Sequence, residues 1–185
     1  MDQDRPLIRE VYKDYTPPFN LSATIQDLLS CVPSNYISGL NEIVLTNAGA
    51  LSRDRRRQRT QSGSRATEVR GLYHQVGNGQ PAWIEIFVDT TLQDWPRPLL
   101  KMPFFRSFAI SEVLYHEFGH HVQHVSNLKL DSKESSAEKL AGKLFRVFFR
   151  KRYWYLQPII FPLRICFRIG RRVTRLLGRH AGLPA

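Results

Sequence analysis

The apolar positions of this chain follow two periods, and the switches between them mark out its elements. After Asn20 and Ser22, both suited to cap a helix, Leu21, Ile25, Leu28 and Leu29 recur at helical spacing and stop before Pro33. Short runs rich in β-branched and aromatic residues follow at 43–46, 68–75 and 82–89, the last almost continuous through Trp83, Ile84, Ile86, Phe87 and Val88. Gly77-Asn78-Gly79 between the second and third runs reads as a hairpin turn. Residues 1–19, with Pro6, Pro17 and Pro18, read as an extended or briefly helical lead-in, and residues 52–66, without apolar period, as a basic mobile loop.

The helical period returns after the break at Trp95-Pro96-Arg97-Pro98. Phe108, Val113, Leu114, Phe118, Val122 and Val125 predict a helix from about Phe105 or Ser107 to Ser126-Asn127, buried on much of its circumference. Asp131 or Ser132 can cap a second helix, with Glu134 three residues after Asp131 as in a capping box. Ala137, Leu140, Ala141, Leu144, Phe145 and Phe148 carry its apolar face to about Arg152. The expected architecture is α+β: a small, mostly antiparallel three-stranded sheet packed on these two helices in one domain over residues 20–152. A basic aromatic arm, in part helical, completes it at 153–185.

Composition adds bounds. A chain of 185 residues, 42% apolar, buries a real core without disulfides, and Cys31 and Cys166 have no metal-binding spacing and read as reduced thiols. The run from Tyr153 to Phe167 is interrupted by Pro158, Pro162 and Arg164 and is shorter than the roughly 20 residues a bilayer span needs. The first residues, Met1-Asp2-Gln3-Asp4-Arg5-Pro6, lack the basic end and apolar run of a secretory signal, so a cytoplasmic protein is expected.

The net charge of +11 is concentrated in two clusters. One holds Arg53, Arg55, Arg56, Arg57, Arg59, Arg65 and Arg70; the other, from Lys151 to Arg179, has eight Lys or Arg and no acid. Either attracts polyanions, such as nucleic acid or an anionic membrane surface, or is a solvated face. From Leu163 onward, apolar and arginine positions interleave, which suits a helix lying on a membrane surface as well as one packed on the domain with arginines in water.

The chemistry lies in the longer helix, where His116, Glu117, Phe118, Gly119 and His120 form an H-E-x-x-H run. Histidines four residues apart share one helix face, so two neutral nitrogens can converge on one Zn²⁺ ion with Glu117 beside its water as general base. Gly119 costs roughly 1 kcal/mol against Ala inside a helix, which points to a close neighbouring backbone. A catalytic zinc wants a third protein ligand. His124 lies roughly 12 Å along a straight helix from His116 and cannot join the same ion, and it and His121 read as hydrogen-bonded or exposed histidines. Glu138, eighteen residues after His120 and followed by the small Ala141 and Gly142, is the preferred third ligand, with Glu134 and Asp131 as alternatives.

His116-Glu117-Phe118-Gly119-His120, followed by Glu138-Lys139-Leu140-Ala141, resembles the gluzincin clan of zinc metallopeptidases, and the order of elements is similar to its smallest members, the minigluzincins. The resemblance covers roughly residues 20–150. It departs from the family pattern at Gly142, where an acid often stands. It implies a zincin-like fold and a metalloendopeptidase in which His116, His120 and Glu138 hold Zn²⁺ and Glu117 moves a proton from water to the leaving amine. It also implies an oxyanion helper, for which Tyr36, His74, Tyr115 and Tyr155 are open candidates. An edge strand beside an extended peptide substrate is expected too, here 82–89 with Trp83, Ile84, Glu85 and Ile86. The competing reading is a non-catalytic zincin-like scaffold that binds nucleic acid or anionic membrane through its arginines. A third joins the two, a peptidase carried to DNA or a membrane by its basic parts.

Overall fold

The lead-in hides a strand. In the computed structural model, which describes residues 5–57, 65, 67–77, 80–125 and 133–156, β1 (Leu7–Val11) forms one edge of a four-stranded sheet. Every residue of β1 except Ile8 is exposed, Leu7 by 64%, so the strand leaves no burial pattern for a sequence to display. The chain continues through α1 (Leu21–Leu29), α2 (Ser34–Ile37), β2 (Leu40–Thr46), a 3-10 turn at Ala48–Ala50 and α3 (Arg53–Arg57). There follow β3 (Gly71–His74), β4 (Ala82–Phe87), α4 (Val88–Leu92), α5 (Arg97–Leu100), α6 (Pro103–Val125), α7 (Lys133–Arg152) and a 3-10 turn at Trp154–Leu156.

The sheet order is β1-β2-β4-β3, with β1/β2 and β2/β4 parallel and β3/β4 antiparallel. The expected three-stranded, mostly antiparallel sheet is therefore corrected to a mixed sheet of four, within the α+β class. The hairpin part holds: β3 and β4 pair across a Gly77–Gln80 bridge. The missed part is β1-α1-α2-β2. Helices between two strands return the chain to its starting end and make the pair parallel, which alternation within either strand cannot reveal.

Local chemistry explains the first crossover. Asn20 caps α1 by accepting from the Ala23 amide at 2.8 Å, and the Glu10 carboxylate of β1 accepts from the Ser22 amide at 3.2 Å and from its hydroxyl. A carboxylate at a helix N-terminus satisfies amides without partners in the helix and complements the dipole. Ile25, Leu28, Ile43, Leu45, Ile84, Ile86, Ile110, Leu114 and Phe118 are fully buried in the core, where α6 packs on α1, β3 and β4.

Helix α6 begins at Pro103, earlier than the apolar period alone predicts, because proline's missing N–H costs nothing in a first turn. The arginine-rich segment is helical at α3, and 58–64 lie outside the described residues. The chain divides into two compact units, Met1–Val147 and Phe148–Ala185. In the second, Tyr153 stacks on Phe149 with ring centroids 5.4 Å apart. The arm beyond 156 lies outside the described residues, and no described helix is long and apolar enough to cross a membrane.

Candidate metal centre

Helix α6 places its chemistry by simple periodicity. Val113, Glu117 and His121 lie on the side that meets β3, and His116 and His120 lie next to it, half-buried. Their Nε2 atoms are 3.2 Å apart. A hydrogen bond between one protonated and one bare ring nitrogen has that length. Two ligands of a tetrahedral zinc match it as well, since bonds of about 2.0–2.1 Å opened at the tetrahedral angle separate the nitrogens by about 3.3 Å. As a donor pair, the two imidazoles fit Zn²⁺.

An open cleft of about 410 Å³ reaches this turn, walled by residues 68–71 on one side and by Glu112, Val113, His116 and Glu117 on the other. Glu117 is buried, and its carboxylate rests against the backbone at Gly71. A Cβ on Gly71 would stand 2.8 Å from Glu117 Oε1 and 2.6 Å from Val113 Cγ1. The absent side chain is what lets the strand come this close to the carboxylate.

Gly119 does the same on the other flank. A Cβ there would lie 2.6 Å from Ala137 Cα and 2.7 Å from Ala137 O, so α7 crosses α6 backbone to backbone one turn from His116. The close neighbour expected from a glycine inside this helix is Ala137. Phe108 packs edge-on to Phe145 at 5.2 Å, so the two helices run antiparallel. Glu138 follows Ala137 and is exposed. Among the described residues, no three His, Cys, Asp or Glu side chains come together as a metal-holding group. The structure assembles the His116–His120 pair with Glu117 beside it, and sets the start of α7 alongside.

Other expected participants are placed elsewhere. Strand β4 is interior, with both backbone ladders taken by β2 and β3, so Trp83, Ile84, Glu85 and Ile86 cannot receive a substrate by strand addition. That expectation is corrected: an almost continuous apolar run marks a strand covered on both faces and flanked on both sides. The edges are β1 and β3. Ile84 and Ile86 belong to the α6 side, whereas Trp83 and Glu85 face the opposite side, where Trp83 stacks on His74 at 3.8 Å. Tyr115 donates its hydroxyl to Leu28 O in the core, and burial raises its pKa, so it is no oxyanion helper. His74 bonds Glu85 on the far side of the sheet and is set aside for the same reason. Tyr36 lies half-buried in α2 and Tyr155 in the second unit.

The arginine cluster is partly used inside the protein. Arg55 makes a two-pronged ion pair with buried Glu85, at 3.0 and 2.6 Å, Arg56 donates to Leu51 O and Gly49 O, and Arg70 pairs with Asp94 at 2.9 Å. Burial would raise the Glu85 pKa, but hydrogen bonds from His74 and Arg55, with the charges on both, hold it below the ordinary range.

Sequence reasoning missed Gly71 and Tyr73. A glycine opening a strand is a sign of close backbone approach, which was available at Gly71. Tyr73 lies two residues on, on the same side. His121 Nε2 is 3.0 Å from Ser38 O, which only accepts, so Nε2 carries the proton and Nδ1 accepts from the Tyr73 hydroxyl at 3.3 Å. Burial lowers the His121 pKa, in keeping with this neutral tautomer, and the residue links β3 to α6.

Comparison with known proteins finds no matching family model, no matching curated protein and no matching solved structure.

Proposed function

We propose that the chain is a zinc-dependent metallopeptidase in which His116 and His120 supply two metal ligands, an acid from the start of α7 supplies the third, and Glu117 is the general base. The observation that carries this reading is the 3.2 Å separation of the two Nε2 atoms, next to a buried glutamate in the wall of an open cleft. Zinc, when bound, supplies a Lewis acid and lowers the pKa of its water, making a nucleophile available near neutral pH. Glu117 takes a proton from water as it attacks the peptide carbonyl and returns it to the leaving amine. The Gly71 backbone limits where that carboxylate can swing. An extended substrate adds to β3, the edge strand that borders the cleft.

The third ligand is one of two acids near the start of α7, Glu138 or Glu134. Ala137 faces α6; Glu138 is one residue on, turned by about 100°, whereas position 134 lies one turn earlier on Ala137's own stripe. The side chain of Glu134 lies outside the described residues, and mutation of each acid decides between them.

The test is peptide hydrolysis by the purified chain. Chelation abolishes it, added zinc restores it, and Glu117→Gln binds zinc without hydrolysing. Hydrolysis by Glu117→Gln at the parent's rate contradicts the reading.

A further inference from the structure

The cleft beside the metal centre is opposite in charge to the chain that builds it. The sequence has 27 Lys or Arg against 16 Asp or Glu, yet the described residues lining the cleft include three acids, Glu68, Glu112 and Glu117, and one Lys or Arg, Arg70. The cleft also has a direction. Val113 and Glu117 meet β3 at Gly71, and His121 meets it two residues on at Tyr73, so strand and helix run in the same sense. Residues 68–70, which precede the strand, therefore lie towards the N-terminal end of α6, where Arg70 Nη1 stands 4.0 Å from Glu112 Oε2.

Arg70 is already engaged at that end. Its Nη2 lies 2.9 Å from Asp94 Oδ2, whereas Glu112 stands at the outer limit of an ion pair with it and is 61% exposed. A carboxylate loosely matched inside the protein, in the wall of a cleft, stabilises a cation that a ligand brings to it. Glu68 adds to the same field from the facing wall. An acidic ligand group would meet both carboxylates and have to compete with Asp94 for Arg70. Distance along α6 then fixes which part of a substrate is concerned. Glu112 precedes His116 by one turn on the same helix face, about 6 Å along the axis. An extended peptide advances about 3.3 Å per residue, so this span is about two residues.

We infer that Glu112 is a specificity-determining residue, and that the cleft selects extended peptides carrying Lys or Arg two residues from the bond held at the His116–His120 pair. The inference rests on the peptidase reading for what occupies the cleft, and deepens it by naming the class of substrate, a basic peptide.

The experiment uses the full chain with added zinc and a set of short, blocked, fluorescent peptides in which a single Lys, Ala or Glu is moved through the positions of a neutral sequence. Two quantities are read: kcat/KM, with product masses locating the cleaved bond, and Kd on Glu117→Gln, which needs no hydrolysis. Lys two residues from the cleaved bond should raise kcat/KM about fivefold over Ala, and Glu should lower it by a similar factor. The Kd values should fall in the same order, and the spread should narrow at about 0.5 M salt. Glu112→Gln should bring the Lys-to-Ala ratio close to one, and Glu112→Lys should invert it in favour of Glu, which a merely structural role for Glu112 does not predict. Cleavage without preference among the three, or a preference that survives Glu112→Gln, overturns the inference and leaves the peptidase reading standing. Selective binding of the Lys peptides without hydrolysis supports the basic-peptide cleft and overturns the peptidase reading. Neither binding nor hydrolysis overturns both.

Discussion

Two buried glutamates, Glu85 on β4 and Glu117 on α6, each lie near histidine on opposite sides of the same sheet, and they have different fates. Glu85, 2% exposed, is gripped by Arg55 through both oxygens and by His74 at 3.2 Å. It serves to fasten α3 and the end of β3 to the sheet. Glu117 lies in a cleft wall against a glycine backbone, one residue after His116 and three before His120. Acid and histidine occur together in both places. What separates a brace from a candidate base is an open cleft alongside, and a pair of histidine ring nitrogens 3.2 Å apart.

The largest expected effect sharpens that contrast. Glu117→Gln lowers peptide hydrolysis by about a thousandfold or more at nearly unchanged thermal stability, the range for loss of a general base. Glu85→Gln does the reverse: hydrolysis stays within a few-fold, while stability falls by about 2 kcal/mol, because Arg55 loses its counter-charge. Arg55 is partly exposed, which keeps the figure at the low end for a broken pair. Kinetics and denaturant melts of the two variants read this directly. Equal losses of activity would erase the distinction.

The next comparison is between two helix glycines. Gly119→Ala forces a Cβ into the Ala137 backbone, so α7 must move; a loss of about 2–3 kcal/mol and weakened zinc binding are expected in melts and metal titration. Gly142→Ala meets nothing within 4 Å and should raise stability by up to about 1 kcal/mol. Gly71→Ala lies between them, since its Cβ meets two side chains that can shift; about a tenfold drop in kcat with a smaller change in melting temperature is expected.

The smallest effect is one of pH. Because Glu85 has a lowered pKa in the folded protein, the unfolded chain takes up a proton first as the pH falls. The stability it contributes is complete above its ordinary value of 4.5 and is lost as the pH drops below that value towards the folded-state pKa. The parent should therefore lose stability more steeply than Glu85→Gln on acidification below pH 4.5, in melts taken across that range.

These contrasts also mark what the sequence could display. His116, Glu117 and His120 occupy little more than one helix turn, so their mutual placement follows from local periodicity, and Gly119 signalled the approach of Ala137 by being a poor helix former in a long helix. Strand β1 was invisible because an exposed edge strand needs no apolar alternation. The interior position of β4 depends on which strands flank it, and the capture of Arg55 by Glu85 joins residues thirty positions apart. Neither leaves a local mark. Gly71 was readable in principle, but its meaning appears only when Glu117 stands opposite it.

Zinc stoichiometry of the purified chain, with His116→Ala and His120→Ala alongside, tests the central claim most directly. One tightly held zinc per parent chain, lost in each variant while the fold persists by circular dichroism, is the predicted result. A parent that binds no zinc, or variants that bind it as the parent does, would contradict the account.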